Sequence, residues 1–536
     1  MDRRSFLASA GGAGLAAAGS AAGFARWQEI APGLGYPGRA EGHFLRDARR
    51  LPPPSSVVET DIVILGSGVA GISAAWKLGK EGARALLIDG PEPFGNAAGA
   101  RYGDLECPTG AHYLPLPSME ALHVRAMLAD VGVIERDAMA ERPTYDERFL
   151  VHAPQERLLV GKTWQEGLVP ALGATAADLL EQRRFFAEME RLRQLRGADG
   201  RRVFVFPLAL SSSDATHADL DRISFKAWLE RAGYRSPGLH WYLNYCCRDD
   251  YGARYDRISA WAGLHYFAGR AGQAANADDS AVLTWPGGLA PLIGAIAARS
   301  SIERKAGTAV SLKRTNDGVE ALCFRLEQGV PATFLVRSRK AICAMPLFVA
   351  ARVVDNMERF GFDAQRHLPD YAPWLVANFV MKTPPREEGE LPLAWDNVVR
   401  SEPGLGYVVS THQDIRMQPA ERSVYTAYVA LSGRSPAQAR AWMQKATPQE
   451  LIAVAGADLK AAYGWKLAPC VERVDITLRG HAMAIPAPGF RTNAGLAALR
   501  ETDGPVLFAH ADLSGFSVFE EASWWGWRAA ERALRS

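Results

Sequence analysis

The residues best suited to chemistry lie in the run DIVILGSGVAGISAAWKL, where an apolar strand, Ile62 to Leu65, meets Gly66-Ser67-Gly68-Val69-Ala70-Gly71 at the mouth of a helix. Gly66 permits a tight turn, Gly68 lets the backbone approach a pyrophosphate, and Gly71 allows the helix to pack closely on its strand. The helix N-terminus, at Val69 and Ala70, presents free amides and partial positive charge to an anion. Asp89 closes a second apolar strand, Ala85 to Ile88, about 18 positions past Gly71. That is where an acidic side chain holds a ribose 2′-hydroxyl. A strand before the glycines, a helix after them and an acid beyond point to dinucleotide binding.

The elements around this site must be built from 536 residues, too many for one small core, so two domains are expected. Hydrophobic residues make up 48% and charged residues 22%, which is ordinary globular usage. The 61 basic and 59 acidic residues leave a net charge of +2 with no long block of one sign, so nothing points to nucleic acid as a partner. The six cysteines include the adjacent pair Cys246 and Cys247 and show no Cys-x-x-Cys spacing, so no metal site is indicated. Cys323 and Cys343 sit in apolar strand-like runs and read as buried thiols.

The chain opens Met-Asp-Arg-Arg-Ser-Phe-Leu before an uncharged, Ala/Gly-rich stretch from Phe6 to Ala25. This reads as a twin-arginine export signal over residues 1–25, excluded from the fold and recognised by the twin-arginine translocase. Cleavage after Ala22 or Ala25 and retention as an uncleaved membrane anchor both stay open. Export of a folded protein to the periplasm suits a tightly held cofactor, which favours FAD over a freely exchanging nicotinamide. Residues 26–55, with Pro-rich Leu51 to Ser55, read as a linker to the first strand.

Three later segments resemble the flavin-containing amine oxidoreductase superfamily, which also holds carotenoid desaturases and protoporphyrinogen oxidases. PFGNAAGARYGDLECPTGAHYLPLP resembles that family's second glycine motif, although the usual Gly-Gly-Arg reads Gly95-Asn96-Ala97 and Pro108 stands near where an acid precedes the glycine matching Gly110. LTWPGGLAPLIGAIA, with Pro286-Gly287-Gly288, resembles the return into the flavin domain. In the strand after it, Val310 corresponds to a valine whose backbone meets the adenine. A plain core valine is the alternative. GPVLFAHADLSGFSVFEEASWWGWRAAERAL resembles the closing flavin motif, with Asp512 matching the acid of the ribityl-pyrophosphate region and Glu520-Glu521-Ala522 matching Glu-Gly-Ala.

The resemblance implies an α/β fold: a Rossmann-like FAD-binding domain with an inserted α+β substrate domain, amine oxidase-like. Its pieces are 56–115, 282–360 and 500–536 for the FAD-binding domain, with 116–281 and 361–499 forming the substrate domain. It further implies hydride transfer from the carbon beside an amine nitrogen to flavin N5. Electrons would then pass to oxygen or to a periplasmic or membrane carrier.

Two family features are altered. The strand Lys340 to Pro346 resembles the family strand that ends at a proline, but the lysine that follows it in the family falls on Ala351 or Arg352, and the family's aromatic-cage residue before Glu-Gly-Ala falls near Val518, flanked by Phe516 and Phe519. Acids and aromatics concentrate instead in NYCCRDDYGARYDRISAWAGLHYFAGR, where Asp249, Asp250 and His265 with nearby tyrosines suit a cationic amine or polyamine through charge pairing and cation–π contact. The same residue types suit a surface salt-bridge cluster beside a buried aromatic helix face, and both readings stay open. His112-Tyr113, directly after the second glycine motif, falls near the flavin ring by analogy; His112 is a proton acceptor, a substrate orienter or a structural histidine. His510 is a further candidate beside the cofactor, and Lys382 reads as a solvated residue at a strand end. A desaturase or porphyrinogen-type ring oxidase and a non-catalytic flavoprotein are the alternative functions.

Overall fold

The computed structural model describes residues 27, 30–46 and 51–535. The stretch read as an export signal, residues 1–25, lies outside the described residues. Among them, no helix is long and apolar enough to cross a membrane.

A seven-stranded sheet is assembled from separated parts of the chain. Val57–Leu65 pairs in parallel with Ala85–Ile88 on one side and with Val330–Cys343 on the other, and Val506–Phe508 joins Ala341 to Cys343 in parallel. Both faces of this parallel core are covered, which is why its strands read as unbroken apolar runs. Val63, Ile64 and Leu65 have no exposed surface. Helices Val69–Lys80, Ala290–Ala298 and Phe519–Leu534 lie against one face, burying Ile72, Leu78, Leu292 and Ala530. Helices Leu347–Val353 and Ala494–Arg500 close the other face over Val63, Leu65 and Phe508.

The second sheet has eight strands, in the order 33–35, 471–484, 371–381, 423–430, 404–409, 396–399, 156–160 and 163–166. Its middle strands alternate between two interiors, as the period of two requires. Leu375, Ala377 and Phe379 join Tyr425, Ala427 and Val429 in a core under helices of residues 436–470. Trp374 and Val376 with Tyr428 and Ala430 face the other way, toward helices Pro237–Tyr251 and Ala260–Ala268. Part of the stretch expected to be a linker is structured: Gly33–Gly35 pairs in parallel with Asp475–Thr477, and Arg39–Arg46 is helical. A three-residue strand paired at a sheet edge carries no local hydrophobic period to betray it. The proline segment is anchored, with Thr333 Oγ1 donating to the carbonyls of Pro52 and Pro53. All six cysteines are free thiols, with Cys323 and Cys343 buried.

Candidate functional site

The glycine loop has the shape that its sequence requires. Gly66 holds φ +108°, which only glycine adopts without strain, and a side chain on Gly71 would overlap the Gly66 carbonyl. A side chain on Gly68 would meet nothing within 4 Å. That space lies at the start of helix Val69–Lys80, whose first turn has no side-chain cap. Uncapped amides beside open room fit a pyrophosphate. Gly95, at φ +56°, faces the Gly68 backbone across the loop.

Asp89 stands at the end of its strand with Arg304 Nε and Nη2 at 3.0 and 2.8 Å, both on Oδ1. Its backbone carbonyl accepts from the Ser67 amide and hydroxyl, so Asp89 also fixes the loop. Val310 is the extra residue of a β-bulge between Ala309 and Ser311. A bulged residue is left outside the ladder, which frees its backbone for a ligand. These residues could hold the adenosine half of a dinucleotide.

The glycine segment around Gly110 is strapped to the eight-stranded sheet by three side chains from three strands. Asn378 Nδ2 donates to the Pro108 carbonyl at 3.1 Å, Arg479 Nε to Thr109 at 3.0 Å and Tyr428 Oη to Gly110 at 3.0 Å. Gly110 has no room for a side chain against the Asn96 carbonyl. The strap forms one wall of a cavity of about 150 Å³ between the two sheets.

His112, Tyr113, Asp249 and Asp250 all line this cavity, as do Arg270 and Glu520. Asp250 is buried and takes Arg270 Nη2 on both oxygens, at 2.7 and 2.8 Å. Asp249 has no such partner; burial and then the neighbouring Asp250 push its carboxyl up to about 7. Both acids sit in the last turn of helix Pro237–Tyr251, at the negative end of its dipole. A carboxylate there is unfavourable by itself and favourable for an incoming cation.

The cavity is aromatic. His112 stacks on Tyr428 with centroids 4.5 Å apart and 29° between planes, and it contacts Trp395 and Tyr113. Trp374 adds another wall and leaves its indole N–H without a partner. Burial pushes His112 down to about 3, so it works as a neutral ring. At Val518 the cavity does have valine, and Phe519 follows it in the lining, while the large aromatic surfaces come from the 374 and 428 strands. Sequence reasoning missed Trp374, Tyr428 and Arg479. Their signal is a polar or aromatic residue repeated every second position in otherwise apolar strands.

His265 lies away from the cavity, and the carboxyls of Asp512 and Glu521 have partners within the protein. His265 is fully buried, donates from Nε2 to the Val205 carbonyl at 2.8 Å and stacks against both Trp261 and Phe516, so it belongs to the core. The Asp512 carboxylate faces the Leu347 amide and Tyr371 Oη, at 2.9 and 2.7 Å. Burial would raise its pKa, yet His510, Tyr371 and the Leu347 amide hold it below the usual carboxylate range. It ties the two strand ends together. Glu521 is buried with its carboxyl on the Leu208 amide and Ser514 Oγ. The residue before it, Glu520, lines the cavity instead, 4% exposed and pushed up to about 7 by burial.

Ala522 continues the first turn of helix Phe519–Leu534, which has no side-chain cap and so offers its amides. Gly526 of that helix packs directly on the Ala70 carbonyl. Arg352 and Lys382 are exposed, and neither lines the cavity. Among the described residues, no group of three or more His, Cys, Asp or Glu could hold a metal ion.

Residues 64–131 match the NAD(P)-binding Rossmann-like domain family. The chain superposes on putrescine oxidase, solved with putrescine bound, at a TM-score of 0.63 and 18% identity, covering 90% of this chain and 100% of that one. Its fold is amine oxidase-like. Cyclohexylamine oxidase from Brevibacterium oxydans superposes at 0.60 and 15% identity, covering 89% and 99%. A protein from Exiguobacterium provisionally named protoporphyrinogen oxidase does so at 0.56 and 12%, covering 90% and 99%. The sequence matches none of the curated proteins. At these identities the likeness establishes the amine oxidase-like fold.

Proposed function

We propose that this protein is an FAD-dependent oxidoreductase that oxidises a C–N bond of an amine or polyamine. The observation that carries the reading is the unpaired Asp249 carboxyl in an aromatic cavity whose wall includes the strapped segment at Gly110. Open room at Gly68, the uncapped helix starts at Val69 and Phe519 and the bulge at Val310 are the features that would hold FAD. When bound, FAD would supply a two-electron acceptor whose N5 takes a hydride from the carbon beside the substrate nitrogen.

The chain's own residues bind, orient and deprotonate. Asp249 attracts the ammonium, and a carboxyl held near 7 exchanges protons readily at neutral pH, so it accepts the ammonium proton before oxidation. Trp374, Tyr428 and Tyr113 receive the cation on their ring faces, with each such contact worth about 0.5–2 kcal/mol. Arg270 holds Asp250 through hydrogen bonds to both of its oxygens, which leaves Asp249 as the group free to act. His112 is too weak a base to compete and serves as an aromatic wall. Water then hydrolyses the imine product to a carbonyl compound.

Likeness to the Exiguobacterium protein keeps ring or C–C oxidation as the second reading, yet such a substrate asks for a wide apolar channel without Asp249 and Glu520. The electron acceptor in this account is oxygen or a periplasmic or membrane carrier, after folded export directed by the leader.

A test is carbonyl product formation from a panel of monoamines, diamines and polyamines, with oxygen or a dye as acceptor. The account expects at least one amine to be turned over, and Asp249→Asn to raise its KM at least tenfold. No product from any amine under either acceptor, with FAD bound, would count against it.

A further inference from the structure

The tripeptide Gly95-Asn96-Ala97 carries no cation where the resembled motif has Gly-Gly-Arg, yet a guanidinium from elsewhere in the chain stands beside it. It belongs to Arg479, from strand Val471–Ala484 of the other sheet. Nε donates to the Thr109 carbonyl at 3.0 Å and Nη1 to Asn96 Oδ1 at 3.2 Å, while Nη1 and Nη2 grip Glu92 at 2.7 and 2.8 Å. The side chain is 8% exposed and lines the cavity together with Phe519 and Glu520 of the closing helix. One side chain thus joins Asn96 to Thr109 and presents positive charge where the cavity wall is made. A charged residue buried this deeply on a sheet is costly unless paired, and the bidentate Glu92 contact fixes the plane of the fork.

We propose that Arg479 is the cation that faces the bound flavin, supplied from the substrate-side sheet, and that Glu92 sets how much of its charge the flavin feels. The inference rests on the flavin reading of the cavity. Charge beside the ring tunes a flavin's electron affinity, and a guanidinium fixed in a site of low dielectric favours the form that carries negative charge. Glu92 opposes that effect, so the two residues must act in opposite directions on the cofactor while acting together on the loop.

The test is sulfite binding to the FAD-loaded protein, read from loss of oxidised flavin absorbance. Sulfite adds at N5, leaves the ring anionic and needs no knowledge of the substrate. Relative to the wild type, Arg479→Gln should weaken sulfite binding at least tenfold, Arg479→Lys should recover part of the loss, and Glu92→Gln should tighten binding severalfold. If Arg479→Gln fails to fold or to hold FAD, the lysine and Glu92→Gln variants still decide the matter. A sulfite Kd within twofold of wild type in FAD-loaded Arg479→Gln, or shifts of one sign in both Arg479→Gln and Glu92→Gln, would overturn the inference. Wild-type protein that holds FAD and takes up no sulfite would overturn it and leave the flavin reading standing. Protein that holds no FAD would sink both.

Discussion

Asp249 and His265 come from one short stretch of sequence and meet opposite fates. Helix Pro237–Tyr251 turns Asp249 into the cavity, whereas helix Ala260–Ala268 turns His265 against Trp261 and Phe516, on which it stacks, and Phe206, which it meets edge-on. Burial, reinforced by Asp250, raises the Asp249 carboxyl to about 7 from an ordinary value near 4. The folded protein therefore holds that proton more tightly than the unfolded chain does. The resulting stability is complete below about pH 4 and is lost as pH rises through 7. Asp249→Asn should unfold at a higher denaturant midpoint than wild type at pH 8, and the gap should close by pH 4. A gap that is constant across this range would place Asp249 in a different environment. His265→Phe keeps an aromatic of similar size in the stack; it should shift amine KM less than twofold while costing about 1–3 kcal/mol of stability. Denaturant unfolding alongside amine kinetics reads both effects.

At the scale of elements, the glycine loop and the two helices that meet over it separate binding from packing. A side chain on Gly68 finds open room, whereas one on Gly526 overlaps the Ala70 carbonyl of the neighbouring helix. Gly68→Ala should therefore leave the cofactor-free melting temperature within about 2 °C of wild type and cut FAD affinity at least tenfold. Gly526→Ala should lower both, with about 1–3 kcal/mol of overpacking. Equal melting losses in the two variants would contradict this division.

The strand, the glycines, the helix and Asp89 were legible in sequence because they are contiguous and their periods are strong. The cavity was legible only in part. His112, Tyr113 and Asp249 fall in motif-bearing runs, but Trp374, Tyr428 and Arg479 reach the site from three strands paired across long sequence separations. In Val471–Ala484 the period did carry a trace: Val474, Ile476 and Leu478 face a core while Asp475, Thr477 and Arg479 share the opposite face. Asp512 and Glu521 matched a motif by position, yet hydrogen bonds from residues distant in sequence, Leu347, Tyr371 and Leu208, together with Ser514, engage their carboxyls.

In the molecule as a whole, two sheets built from interleaved segments meet at one strap. Pro108, Thr109 and Gly110 are held by Asn378, Arg479 and Tyr428, and Tyr371 reaches back to Asp512. Cofactor binding at this junction should stabilise both halves together. Free FAD at one hundred times its Kd should add about 2.7 kcal/mol to unfolding, with near-ultraviolet and far-ultraviolet signals shifting in one transition. Two transitions, only one of them FAD-dependent, would show that the strap does not couple the sheets.

The most direct measurement is the oxidised flavin absorbance of the purified, FAD-loaded protein under anaerobic conditions as amines and polyamines are added. The account predicts bleaching by at least one amine, greatly slowed in Asp249→Asn, with reoxidation by air or by an added carrier identifying the acceptor. A flavin spectrum unmoved by every amine, in protein that binds FAD stoichiometrically, would contradict amine oxidation while leaving the fold as described.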